Sequence, residues 1–91
     1  MEHQEVTNLK KQLREQGYNL YVHSHPAGTF FPEHKRPHVT LHIILAGSLR
    51  VVIDGDETVL NVGERLEIPA NTMYSAEVVG ESPVVCIDAR K

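Results

Sequence analysis

From Val39 onward the chain alternates: Val39, Leu41, Ile43 and Leu45 share one parity, while His38, Thr40 and His42 share the other. Side chains of an extended chain change face with every residue, so this is a strand with an apolar face and a polar face. Upstream, Val6, Leu9 and Leu13 recur at helical spacing among strong helix formers, which predicts a helix over Glu5 to Gln16 stopped by Gly17. Its apolar stripe is narrow, enough to lie on a larger body but too thin to carry a fold. Tyr18 to His25 alternates as a strand until Pro26-Ala27-Gly28 breaks it, and Thr29-Phe30-Phe31 is a short apolar run closed by Pro32.

Beyond Gly47-Ser48 the punctuation is regular. Leu49 to Ile53 reads as a strand, and Asp54-Gly55 is the signal for a type I′ hairpin, in which both central residues take positive φ. Glu57 to Val62 returns, Gly63 turns, and Arg65 to Ile68 is a short strand ending at Pro69. Ala70-Asn71-Thr72 turns into a strand over Met73 to Val79, and Gly80 to Pro83 into a last one over Val84 to Ala89. Short strands with turn signals at this rhythm predict an all-β sandwich or barrel of antiparallel strands.

The totals narrow the picture. Ninety-one residues make one small domain, so residues 1–17 are expected as a helix packed on a barrel formed by 18–91. The formal charge is -3 with no lysine or arginine run, which argues against a nucleic-acid partner. No apolar run is long enough to span a bilayer, so no membrane partner is expected. Met1-Glu2-His3-Gln4-Glu5 lacks the basic and apolar regions of a signal peptide, and the expected location is cytoplasmic. Cys86, the single cysteine, sits in Pro-Val-Val-Cys-Ile and reads as a small buried apolar residue; an intramolecular disulfide is excluded.

Candidate chemistry concentrates between Glu33 and Gly47, where three of the six histidines fall: His34, His38 and His42. Imidazole is the commonest ligand for borderline transition metals and titrates near neutral pH. His23 and His25 form a His-x-His pair, open to either a chelating or a water-facing reading. No nucleophile-plus-base motif, Gly-rich phosphate loop or paired-carboxylate signature occurs, and Asp54, Asp56 and Glu57 are explained by turn chemistry.

Over roughly Tyr18 to Ala89 the chain resembles the small single-domain cupins, whose fold is a double-stranded beta-helix or jelly-roll barrel. That family's first motif is a glycine, a His-x-His, a glutamate and a second glycine; here Gly28, His34-Lys35-Arg36, Thr40 and Gly47 stand at those places. The second motif, a glycine, a Pro-x-Gly and a histidine, is met by Gly63, Pro69-Ala70-Asn71 and Tyr74. Of the four ligand positions the resemblance implies, only His34 keeps a metal-binding side chain. Arginine stays protonated and threonine is a poor ligand, so the usual site is expected to be broken at Arg36, Thr40 and Tyr74. If Thr40 points into the barrel as the resemblance implies, His38 and His42 point in with it. A displaced site of His34, His38 and His42 would then hold a divalent transition metal such as zinc, nickel, iron or manganese, with a metal-free pocket as the equal alternative.

The functional reading is a histidine-lined pocket for a small-molecule ligand. Arg36, Thr40 and Tyr74 are its binding residues, Ile44, Phe30 and Met73 give it apolar depth, and Arg36 favours an anion. The alternatives are an enzyme and a dimeric scaffold. As an enzyme it would be a metal-dependent dioxygenase, isomerase or lyase, or would isomerise without metal using His42 as base and Tyr74 as acid. Periodicity alone offers a rival geometry, with the Leu41 and Ile43 face as the core and the histidines in solvent. Under the resemblance that apolar face lies outside the barrel and needs cover, which predicts an isologous homodimer assisted by the N-terminal helix.

Overall fold

The computed structural model describes residues 1–91. The helix, α1 (His3–Glu15), starts two residues before the expected Glu5 and is capped by Gln16 and closed by Gly17, whose φ of +92° is the left-handed conformation that ends a helix without a Cβ clash. Eight strands follow: β1 (Asn19–His25), β2 (Phe30–His34), β3 (Thr40–Ala46), β4 (Ser48–Ile53), β5 (Asp56–Leu60), β6 (Arg65–Ile68), β7 (Tyr74–Val79) and β8 (Val84–Arg90). They form two four-stranded antiparallel sheets in the orders β1-β8-β3-β6 and β2-β7-β4-β5. The chain crosses between the sheets at nearly every connection, as in a jelly roll.

Local chemistry explains the details. Asp54 and Gly55 both have positive φ, 51° and 80°, as the hairpin between β4 and β5 demands. Pro32 lies inside β2 where only a closing position was expected. The strand tolerates it because β2 is at a sheet edge and its pairing with β7 shifts register between Phe31 and His34. Gly47 is the single residue between β3 and β4, and a β-carbon there would collide with the Pro83 carbonyl oxygen.

Both faces of β3 are covered, which resolves the rival geometries. Ile44 faces between the sheets and packs with residues such as Leu49, Val51, Val78 and Cys86. Leu41 and Ile43 point the other way, onto Leu9 and Leu13 of α1, flanked by Ile87 and Ala89 of β8. Ile43 is 1% exposed and Leu41 7%. The cover assigned from sequence to a second subunit aided by the helix is thus supplied by the chain's own helix. Each such side chain contributes roughly 1.5–3 kcal/mol when fully buried. With its outer face sealed, the sheet can turn its polar parity inward without losing a core. No helix is long and apolar enough to cross a membrane.

Candidate functional site

The site follows from strand register. On the sheet that carries β3, cross-strand neighbours share a face, so Tyr21, Asp88 and His42 form one inward row across β1, β8 and β3. His23, Cys86 and Ile44 form the next row inward, and Arg90 lies beside Thr40 in the row above. The facing sheet contributes Phe31, His34 and Tyr74. Between the sheets lies a cavity of ≈ 200 Å³ whose polar lining is His23, His25, His34, Arg36, His42, Asp88 and Arg90. Phe31, Leu49, Val84 and Cys86 make its apolar wall.

Each polar group is held differently. His34 Nδ1 donates to the Pro32 carbonyl oxygen at 2.8 Å, since a carbonyl only accepts; its Nε2 is buried without a partner, and the ring packs 4.3 Å from Tyr74. Asn71 occupies the glycine place of the second motif at φ 60°, a conformation asparagine tolerates. From there its N–H donates to the Arg36 carbonyl oxygen at 2.7 Å, fixing the backbone that presents the guanidinium. Arg36 Nε is buried and unpaired. Asp88 accepts a hydrogen bond from Arg90 at 3.0 Å, and Arg90 in turn stacks over the Tyr21 ring at 4.3 Å. His23 and His42 flank the Asp88 carboxylate at 3.8 and 3.9 Å, beyond direct hydrogen bonding.

Burial pushes His42 below its ordinary value of 6.5; the Asp88 charge opposes this, and Arg36, His34 and Arg90 reinforce it. The ring is therefore neutral at physiological pH, able to accept through one nitrogen and donate through the other. Burial, with the Asp88 charge behind it, pushes the Cys86 thiol up to about 11, which keeps it protonated and inert.

Of the residues singled out from sequence, His34, Arg36, His42 and Tyr74 meet in the cavity. His38 and Thr40 do not line it; Thr40 is fully buried between Ile68 and Arg90. Phe30 and Met73, expected to give apolar depth, are 59% and 42% exposed, and Ile44 belongs to the core. Phe31, of opposite parity to Phe30, takes the inward role. His23 and His25 join the lining of the cavity. Asp88 and Arg90 were missed, although both share parity with Cys86 and a charge inside Val84-Val85-Cys86-Ile87 and its continuation was the available signal.

The residues do not fit the resident metal that the family resemblance implies. His34 is the only imidazole at its four ligand positions, and the permanent cation of Arg36 stands where a ligand would. The displaced triple of His34, His38 and His42 is not assembled, because the three side chains do not converge; no group of three or more His, Cys, Asp or Glu side chains is arranged to hold a metal ion. What the cavity offers instead is two guanidiniums, three imidazoles with buried free nitrogens and one carboxylate.

Comparisons with known proteins bear on the fold. The family model described as a cupin domain matches residues 20–90. Comparison with curated proteins gives no match. Among solved structures, the DMSP lyase DddQ from Ruegeria pomeroyi DSS-3 is similar with a TM-score of 0.74 and 23% identity over 81% of this chain and 38% of that one. The cupin domain of Cnp3 from Schizosaccharomyces pombe gives 0.75 and 19% over 80% and 54%. A cupin protein from Bacteroides fragilis gives 0.71 and 24% over 81% and 64%. The chain thus spans less than two thirds of each of these structures, and the likeness is one of fold.

Proposed function

The chain belongs to the cupin-domain family, and from the site its barrel carries we propose that it binds a small anionic molecule in the cavity between its sheets. The observation that carries this reading is a charge imbalance. Arg36 and Arg90 both line the cavity with a buried, unpaired Nε, and Asp88 is the only carboxylate there to balance two guanidiniums. A buried donor without a partner is costly, and a guanidinium fork is matched by a carboxylate or phosphate through two parallel bonds. Arg90 is already committed to Asp88, so Arg36 is the anion's anchor. His34 lies near it, and Tyr74 and Phe31 give the ligand's remaining atoms an apolar surface.

The test is isothermal titration of the full chain with small carboxylates, inorganic phosphate and sulfate. The expected result is saturable one-to-one binding of at least one carboxylate or phosphate, weakened at least about tenfold by Arg36→Ala and partly kept by Arg36→Lys, which retains charge but not the fork. Absence of binding across carboxylates, phosphate and sulfate overturns the reading.

A second reading is catalytic, and one observation favours it: His42 is a buried imidazole held neutral beside Asp88 and 5.9 Å from the Tyr74 ring. A neutral base and a phenol facing one cavity are the parts for moving a proton within a bound substrate. Solvent-deuterium incorporation into a bound ligand, lost in His42→Gln, is the expected sign. The homodimer is proposed as well, supported by the unpaired edge of β1 and its half-exposed Tyr21 and Val22. A monomeric mass by light scattering removes it.

A further inference from the structure

Asp88 is 4% exposed, and its surroundings show what the ligand must carry besides an anion. Its Oδ2 accepts from Arg90 Nη2 at 3.0 Å, which offsets its charge. Its Oδ1 is buried with no hydrogen-bond partner and lies 3.9 Å from His42 Nδ1, a nitrogen that is also buried and unpartnered. Buried polar atoms without partners are rare because each loses its hydration without replacement. The separation is too long for a direct bond, yet an oxygen about 2.8 Å from each atom would bridge it.

The chemistry of that bridging group is constrained from both sides. It must donate to a carboxylate that has no proton of its own to give, and it must meet an imidazole nitrogen that donates or accepts according to tautomer. A hydroxyl does both, with one donor and two lone pairs. An ammonium only donates, and it would bring a third cation beside Arg90 and Arg36. A methylene leaves both atoms unpaired.

We infer that the ligand is a small hydroxy carboxylate, its carboxylate on Arg36 and its hydroxyl between Asp88 Oδ1 and His42 Nδ1. This rests on the anion reading above and adds a second recognition point to it. The short hydrocarbon joining the two groups lies against Phe31, Leu49 and Val84. His23, whose unpartnered Nε2 is 3.8 Å from Asp88 Oδ2, faces the Asp88 carboxylate from its other side without a direct hydrogen bond.

Matched probes test it by titration of the full chain: propionate against 2-hydroxypropionate, and butyrate against 3-hydroxybutyrate, each also against its amino analogue. In at least one pair the hydroxy acid should bind about tenfold or more tighter than the parent, and tighter than the amino acid. Asp88→Ala should bring the hydroxy-to-parent ratio to about one, and Asp88→Asn, which keeps a carbonyl acceptor, should retain part of it. Should the alanine variant not fold, the wild-type ratios and the asparagine variant decide. Equal binding within both pairs, or a preference that survives loss of the Asp88 acceptor, overturns the hydroxyl assignment while leaving the anion reading intact. If none of the carboxylates binds, nor phosphate nor sulfate, the anion reading falls and this inference falls with it.

Discussion

Leu13→Ala tests whether α1 belongs to the fold or merely lies near it. Leu13 is 2% exposed and packs with Leu9 against Leu41, Ile43, Ile87 and Ala89. Truncation removes three carbons, about 2.4 kcal/mol of transfer free energy at about 0.8 kcal/mol each. The vacated space adds a cavity term, since the sheet beneath cannot move to fill it, and the total comes to about 3–4 kcal/mol, within the range of buried leucine truncations. A domain of this length is stable by roughly 5–14 kcal/mol, so the change removes a large share. Urea denaturation followed by circular dichroism reads it as a midpoint lowered by about 2 M, for a slope of roughly 1.5–2 kcal/mol/M. Val59→Ala, at a position 47% exposed, is the control and should change stability by less than about 0.5 kcal/mol. The cost at Leu13 should not depend on protein concentration, because the cover is intramolecular. A cost below about 1 kcal/mol, or one that grows on dilution, refutes the assignment and returns the cover to a second subunit.

Other outcomes follow from single residues. The folded state holds His42 below 6.5, so it prefers the neutral ring. Its contribution to stability is lost as pH falls through and below 6.5, giving a melting temperature that drops on acidification and a shallower drop in His42→Gln. Cys86 has the opposite sign. Its thiol is raised from 9.0 to about 11 in the folded state, so stability is lost as pH rises from 9.0 towards 11, and folded protein at pH 8 should react with a thiol reagent far more slowly than unfolded protein. Gly55→Val faces a φ of 80° but open space and should cost about 1–2 kcal/mol by thermal melting, while Asp54→Asn is neutral. Gly47→Ala faces both a φ of 74° and the Pro83 carbonyl and should cost more than Gly55→Val; equal costs would show that backbone conformation alone governs both turns.

Much of the fold was legible because its signals are local. Alternation marks strands, and Gly17, Asp54-Gly55 and Gly63 punctuate them, each by a positive φ the structure contains. What covers the Leu41 face was not legible, because a three-position stripe on a helix has the same pattern whether it docks on its own sheet or a neighbour's. The site was legible in part. His42 and Tyr74 sit at positions whose parity and spacing point inward, and both line the cavity. His38 failed because it lies before β3, where strand parity no longer governs direction. Asp88 escaped because, beyond Arg90 on its own strand, its neighbours His23 and His42 come from two other strands whose registers no single segment encodes.

The substitutions at the family's ligand positions and the missed carboxylate belong to one rearrangement. A metal centre concentrates positive charge at one point and surrounds it with neutral and anionic donors. Here the positive charge is carried by two side chains that line the cavity, Arg36 and Arg90, and the neighbouring imidazoles keep nitrogens without partners. A guanidinium cannot be withdrawn by a chelator, and its reach is directional where an ion's is radial. On the proposed reading, such a site would recognise an anion by shape and by a second polar contact instead of by charge alone. Asp88 would supply that contact from β8, and the hydrogen bond from Arg90 offsets the charge of its buried carboxylate. Removing Arg90 should for this reason weaken anion binding twice over, by losing one cation and by unmasking the Asp88 charge. Arg90→Ala is expected to lower affinity for the bound carboxylate more than Arg36→Lys does, and by less in the Asp88→Asn background, where there is no charge left to unmask. A loss of the same size in both backgrounds would separate Asp88 from the anion's electrostatics.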